Sequence, residues 1–225
     1  MQAYDPSIMA NLGKEALTYL KNAEVVGIGT GQTVNAFIDV LAASHLSFKA
    51  LVSSSKASSK RLIEKGFSPV SLNEVSSIDV YIDGADEVDP FANCIKGGGG
   101  ALTQEKCLAA ASKTFVCIIT ENKKVDFLGQ THPLPIEVIQ TARSFVARKL
   151  ISLGGKPIYR ENFITDNGHI ILDVHDLDLS QPAKQSALLN AIPGVLTTGL
   201  FVEQKPQIVL CAHPQGVDVI PVDQS

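Results

Sequence analysis

The sequence has no clustered stripe of lysine and arginine, and 19 basic side chains against 23 acidic ones leave a net charge of −4. Nucleic-acid binding depends on concentrated positive charge and is not expected. An anionic ligand would have to be held by a few local cations and backbone N–H groups, against the field of the whole protein. Long apolar runs are also missing. The longest, such as Phe115 to Ile119, have the length of a strand and fall far short of the ~20 residues that cross a bilayer. The opening stretch, MQAYDPSIMANLGKEAL, has no basic segment leading into an apolar one, so neither a secretory signal nor a membrane partner is expected. Cys94, Cys107, Cys117 and Cys211 show no CxxC spacing and lie in or beside apolar segments. They read as small buried hydrophobes in a reducing, cytoplasmic setting. The five histidines are scattered, without an HExxH pair, and no GxSxG elbow, low-complexity tract or internal repeat occurs.

What is present is an alternation. Strand-like runs at Glu24–Gly29, Phe48–Val52, Ile78–Ile82 and Thr114–Thr120 are interleaved with helical patterns at Thr33–Ala43, Ser58–Lys65 and Ala101–Ser112. This predicts an α/β domain with a mostly parallel sheet, whose ligand-binding edge lies at the C-terminal ends of the strands. After Gly129 the order becomes β-α-β-β-α-β, with strands near Ile136–Ile139, Pro157–Arg160, His169–Val174 and Val195–Val202 and helices at Ala142–Leu153 and Ala183–Ala191. Gln207–Val222 reads as two more strands returning to the first domain. The expected division is residues 1–130 plus 206–225 for the α/β domain and 131–205 for a smaller α+β domain.

Three loops carry candidate chemistry, each directly after a strand. Gly27 to Thr33 (GIGTGQT) offers glycines, a helix start and the hydroxyls of Thr30 and Thr33 to a phosphate. It lacks the last glycine of GxGxxG and the GK[ST] of a Walker loop, and a tight turn capped by Thr33 explains it equally well. Asp83 to Asp89 (DGADEVD) places four carboxylates in seven residues. We rank an acid–base loop first, a solvated turn second and a metal site third, since the spacing is not that of an EF-hand. Lys96 to Lys106 (KGGGGALTQEK) sets four glycines between a lysine and Glu105. That run costs backbone entropy which a ligand-wrapping loop would justify. Ser53–Lys56 follows a strand and could touch a ligand, but is better explained as a helix cap.

In this order and spacing, GIGTGQTV, DGADEVD and KGGGGALTQEK resemble the ribose-5-phosphate isomerase A family, as do KKVD from Lys123 and PLPIEV from Pro133. The resemblance implies a Rossmann-like domain with a smaller, ferredoxin-like α+β domain. It further implies an aldose–ketose isomerase of the pentose phosphate pathway that acts on a phosphorylated pentose as a homodimer, with a tetramer the family's other form, and with no metal and no cofactor. Glu105 matches the family's general base, and Asp83, Asp86 and Lys96 match its sugar-binding and intermediate-stabilising residues. Thr30, Gly31, Gln32 and Thr33 match its phosphate loop, with Gln32 standing where the family carries serine. Gly84, Ala85, Gly97, Gly98 and Gly99 match further substrate-lining positions, and Lys123 a substrate-binding lysine. A non-catalytic sugar-phosphate sensor and an amino-sugar phosphate isomerase/deaminase are the alternatives.

Overall fold

The computed structural model describes residues 5–222. In chain order the first elements are α1 (Pro6–Leu17), β1 (Val25–Ile28), α2 (Gln32–Ala42), β2 (Ala50–Ser53), α3 (Lys56–Glu64) and β3 (Ile78–Asp83). Then come β4 (Glu87–Val88), β5 (Cys94–Ile95), α4 (Leu102–Ala110), β6 (Ser112–Thr120), β7 (Leu134–Val138), α5 (Arg143–Ser152) and β8 (Lys156–Tyr159). The last are β9 (Ile170–His175), α6 (Pro182–Asn190), β10 (Val195–Thr198), β11 (Leu200–Phe201), β12 (Ile208–His213) and β13 (Gly216–Pro221).

Two compact units result. The first comprises the chain to Gly84, Cys107–Asn122 and the segment from Pro206 on; the second comprises Ala85–Lys106 and Lys123–Lys205. The segment Ala85–Lys106 and residues 123–130, placed with the α/β domain by the sequence pattern, thus group with the other unit.

The first unit is built on a six-stranded sheet in the order β13-β12-β6-β3-β1-β2. All neighbouring pairs are parallel except β12 with β13. The strands read as near-continuous apolar runs because both faces are covered. Val26, Ile28, Ile82, Val116, Ile118 and Leu210 pack with Val34, Phe37, Ile38 and Leu41 of α2 and with Leu12 and Ala16 of α1. From β1 the chain steps to β2 on one side and then to β3 on the other. That reversal makes the carboxyl ends of β1 and β3 a topological switch point, where open α/β sheets bind ligands. Thr30 follows β1, and Asp83 ends β3.

Asp79 fastens the opposite, N-terminal end of these strands. Its carboxylate accepts from the Glu24 N–H at 2.9 Å, the Val25 N–H at 3.0 Å and Lys113 Nζ at 2.7 Å. The Lys113 bond first, then the two N–H donors, pull its pKa down to about 2 from an ordinary 3.8. A carboxyl depressed on folding contributes stability above the unfolded value, and that contribution is lost as pH falls through the folded one. Asp79→Asn should therefore lower stability at pH 6 by ~1 kcal/mol, a figure reduced for solvent screening at this partly open site. Between pH 4 and pH 2 the two proteins should converge in denaturant titrations, and a gap that persists at pH 2 would refute the assignment.

The second unit contains an antiparallel sheet in the order β10-β7-β9-β8, with α5 following β7 and α6 following β9. Numbering its four strands in sequence, the spatial order is 4-1-3-2, the ferredoxin-like arrangement. Ile136, Val138, Leu172 and Val174 meet Val146 and Leu150 of α5 and Leu189 of α6 in its core. A three-stranded sheet, β11-β5-β4, completes the unit. The single strand expected over Val195–Val202 is divided at Gly199: β10 pairs with β7, whereas β11 pairs with β5.

Candidate active site

Lys96 directly follows β5, and Glu105 lies in the first turn of α4, so the glycine loop is the whole connection between them. Folding closes that connection. Lys96 Nζ stands 3.2 Å from a Glu105 carboxylate oxygen, with the two side chains 3% and 4% exposed. Lys96 also lies over the Phe201 ring, 5.3 Å from its centroid, and its N–H donates to the Gly199 carbonyl at 2.9 Å. Lys106 Nζ lies 5.0 Å from the same ring centroid and donates to the carbonyls of Thr198 (2.6 Å) and Leu200 (2.8 Å). Removing an ion pair from water costs more than surface pairing returns, so a buried Lys–Glu pair is weak support for a purely stabilising role.

Between the two side chains the loop keeps its glycines for steric reasons. Gly100 has φ +78°, and a Cβ there would sit 2.2 Å from the Phe163 ring. Gly98 and Gly99 are exposed, and the Gly98 N–H donates to Asp86 Oδ2 at 2.8 Å. Asp86, half-buried, is tied in turn by its own N–H to the Ile95 carbonyl at 2.9 Å. Within the second unit, then, Asp86, Lys96, Gly97, Gly98, Gly99 and Glu105 occupy one continuous piece of structure.

The first unit holds the other half of the candidate set. Asp83 is fully buried at the end of β3, and Oδ1 accepts from the N–H groups of Thr30 (3.0 Å) and Gly84 (2.7 Å). The Tyr81 hydroxyl donates to Oδ2. Gly29 has no room for a side chain, because a Cβ would lie 1.9 Å from Asp83 Oδ1. Thr30 continues the network: its hydroxyl lies 2.8 Å from those of both Ser54 and Ser55. Gly31, at φ +118°, is the residue before α2 and the true cap position, which puts Gln32 and Thr33 in the first helical turn with exposed or half-exposed side chains. The backbone N–H groups of such a first turn have no partner inside the helix. Two further candidates belong to the second unit: Ala85 is half-exposed just beyond Gly84, and Lys123, half-exposed, ends the short turn after β6.

The four acids of the Asp83–Asp89 loop divide by what they hold. Glu87 is fully buried and accepts from the Gly129 N–H (2.6 Å), the Thr131 N–H and hydroxyl, and the His132 N–H (2.7 Å). Asp89 ties its own turn through the Phe91 and Asn93 N–H groups and the Asn93 amide. Their crowding in sequence is thus relieved by separate sets of donors. Tyr81 is not singled out by the sequence as a partner of the site, and for Ser54 and Ser55 capping ranks above a place beside it. Tyr81 could have been, since two residues apart on a strand means the same face as Asp83. Ser55 is the cap of α3 as expected, accepting from the Ser58 N–H at 3.1 Å, and its contact with Thr30 leaves no sequence signal.

A cavity of about 540 Å³ in the second unit is lined by residues 127–134 and 174–180. It contains no lysine or arginine and none of the candidate residues, so we give it no part in binding a phosphorylated sugar. Among the described residues no His, Cys, Asp and Glu group has a metal-holding arrangement, and no helix is long and apolar enough to cross a membrane.

The family model for ribose 5-phosphate isomerase A (phosphoriboisomerase A) matches residues 50–216. The chain belongs to that family. Relatives agree along nearly its full length. It is 48% identical over 205 residues to the ribose-5-phosphate isomerase A of Histophilus somni (strain 2336), covering 91% of this chain and 94% of that one. The crystal structure of ribose 5 phosphate isomerase A from Neisseria gonorrhoeae superposes with a TM-score of 0.94 at 41% identity, over 100% of both chains. A D-ribose-5-phosphate isomerase in complex with phospho-erythronic acid gives 0.92 at 35% identity, over 97% of this chain and 100% of that one. Family membership favours the isomerase reading over the sensor and the amino-sugar alternatives.

Proposed function

We propose that the chain interconverts ribose 5-phosphate and ribulose 5-phosphate through an enediolate. The observation that carries this reading is the buried Lys96–Glu105 pair at the two ends of the glycine loop. Aldose–ketose conversion moves one proton from C2 to C1 and another from O2 to O1. A single carboxylate on one face of the sugar can do the first, and Glu105 is given that role as general base and then acid. Negative charge grows on the carbonyl oxygen in the transition state. Lys96 is already fixed as a cation, and the exposed backbone at Gly99, next to the Gly98 N–H that holds Asp86, adds a donor, so little reorganisation is needed as that charge develops.

The proton exchange between O2 and O1 falls to Asp86 in this proposal. Its carboxylate is half-buried, while that of Asp83 is buried among Thr30, Gly84 and Tyr81 donors and is better suited to shaping the loop it touches. Thr30, Gly31, Gln32 and Thr33 take the phosphate on the first turn of α2. Gln32 supplies its N–H and amide where the family carries a serine hydroxyl. Gly84, Ala85 and Gly97 line the sugar, and Lys123 contributes a second cation. The ligand of the related structure, phospho-erythronic acid, supports this choice of substrate class: its carboxylate sets two oxygens on one carbon beside a phosphorylated chain, much as an enediolate presents O1 and O2. The homodimer, the cytoplasmic setting and the place in the pentose phosphate pathway belong to the same proposal. Of the four cysteines expected to be buried, Cys94, Cys117 and Cys211 are, whereas Cys107 is exposed.

The test is direct. Purified protein should convert ribose 5-phosphate to ribulose 5-phosphate in the presence of EDTA and release no ammonia from glucosamine 6-phosphate. Folded protein that fails the first assay would overturn the reading.

A further inference from the structure

β7 has the sequence LPIEV, with every residue buried. Strand alternation sends Leu134, Ile136 and Val138 into the apolar core of the second unit, leaving Pro135 and Glu137 on the opposite face. That face backs the glycine loop and the start of α4. A Cβ on Gly97 would meet the Pro135 ring at 3.4 Å, and the Gly199 N–H donates to the Pro135 carbonyl at 2.7 Å. Glu137, fully buried, then reaches the helix that carries Glu105. One carboxylate oxygen accepts from the Thr103 hydroxyl, two residues before Glu105; the other accepts from the Thr165 hydroxyl at 2.6 Å and the Asn167 amide at 3.1 Å. Gln104 makes a second tie to the same turn, donating to Asn167 Oδ1 at 2.9 Å. Of the two side chains immediately preceding Glu105, Thr103 is therefore anchored to Glu137 and Gln104 to Asn167, itself a partner of Glu137.

All the partners of Glu137 are neutral. A carboxylate buried among neutral donors carries a desolvation penalty that an apolar residue in the same strand would not. Stability alone gives no reason to keep it there. A charge-assisted acceptor does give shorter and more directional bonds, which suits a part that must hold a neighbour still. We infer that Glu137 is a positioning residue for the isomerisation: through Thr103 it fixes the first turn of α4 so that the Glu105 carboxylate stays trained on its proton. This inference rests on the assignment of Glu105 as base.

The experiment uses the full chain with ribose 5-phosphate. Thr103→Val removes the hydroxyl at constant shape, and kcat should fall roughly 10- to 100-fold, the range expected for sub-ångström misplacement of a reacting group. KM should stay within about threefold and the melting temperature within a few degrees. Thr103→Ser, which restores the hydroxyl, should return kcat to within about threefold of the unaltered protein. Glu137→Gln should fall between the two, because its amide can still bond Thr103 but without charge, and adding Thr103→Val to it should cost less than the product of the separate losses. Unchanged kcat in Thr103→Val, or a loss that Thr103→Ser shares, overturns the positioning role while leaving the base assignment standing. Full activity in Glu105→Gln overturns both.

Discussion

Replacing Glu105 by Gln should lower kcat about a thousandfold, ~4 kcal/mol of transition-state stabilisation, and leave KM within a few fold. The amide has the size of the carboxylate and its oxygen can still accept from Lys96 Nζ, now 3.2 Å from the carboxylate. The pocket should therefore keep its shape and its hold on the sugar phosphate. What disappears is the ability to take a proton from carbon, and a group used only in the transition state is lost from kcat rather than from KM. Glu105→Asp provides the control. It keeps the charge but withdraws it by one methylene, so its rate should lie between the two. Stopped-flow or coupled assays with ribose 5-phosphate would measure all three proteins. If Glu105→Gln retained the full rate, the base would have to be sought elsewhere; if KM rose a thousandfold with kcat unchanged, Glu105 would be a binding residue.

Much of this site was legible in the sequence because its parts are local. Lys96 and Glu105 flank one loop, and a run of four glycines inside an α/β pattern points to a ligand-facing backbone. The central strands were legible for a similar reason: β6 buries six consecutive residues and reads as an unbroken apolar run. Elements with little periodicity were missed. β4 and β5 have two residues each, too few to show a period, whereas α1 was passed over although Leu12 and Ala16 repeat at helical spacing behind the Asp5 cap. Gly199 marks the place where a strand was read too long. A Cβ there would lie 2.2 Å from the Lys96 carbonyl, and a glycine within a strand pattern signals such close approach. Long-range partners leave no trace of this kind. Nothing in PLPIEV says that Glu137 faces Thr103, 34 residues earlier, or that Ser54 and Ser55 meet Thr30. Sequence crowding also misleads, since the carboxylates of the Asp83–Asp89 loop looked like one acidic cluster and fold into separate sites.

That separation leads to the largest expected effect on stability. Glu87→Ala should destabilise the protein by ~3 kcal/mol, lowering its melting temperature by roughly 6–12 °C. The carboxylate gathers four donors from the Gly129–His132 segment, and with alanine all four lose their acceptor while a void opens at a fully buried position. Four buried donors left wholly unsatisfied would cost more than this. Thr131 lies at the surface, however, and its segment can turn partly to water, which limits the loss. Glu87→Gln should recover little of it, because an amide must point its N–H₂ at one of two oxygen positions that both face N–H donors. An ordinary acid on a solvated turn would behave in the opposite way, with both variants close to the unaltered protein. Circular-dichroism melts distinguish the cases, and a shift under 2 °C for Glu87→Ala would remove Glu87 from the framework of the loop. Turnover of the folded variant, measured well below its melting point, should stay within about tenfold, since Asp86 keeps its own bonds to Gly98 and Ile95. A loss as deep as that of Glu105→Gln with an unchanged melting temperature would instead make Glu87 part of the chemistry, and Asp86 would lose its place as the proton shuttle.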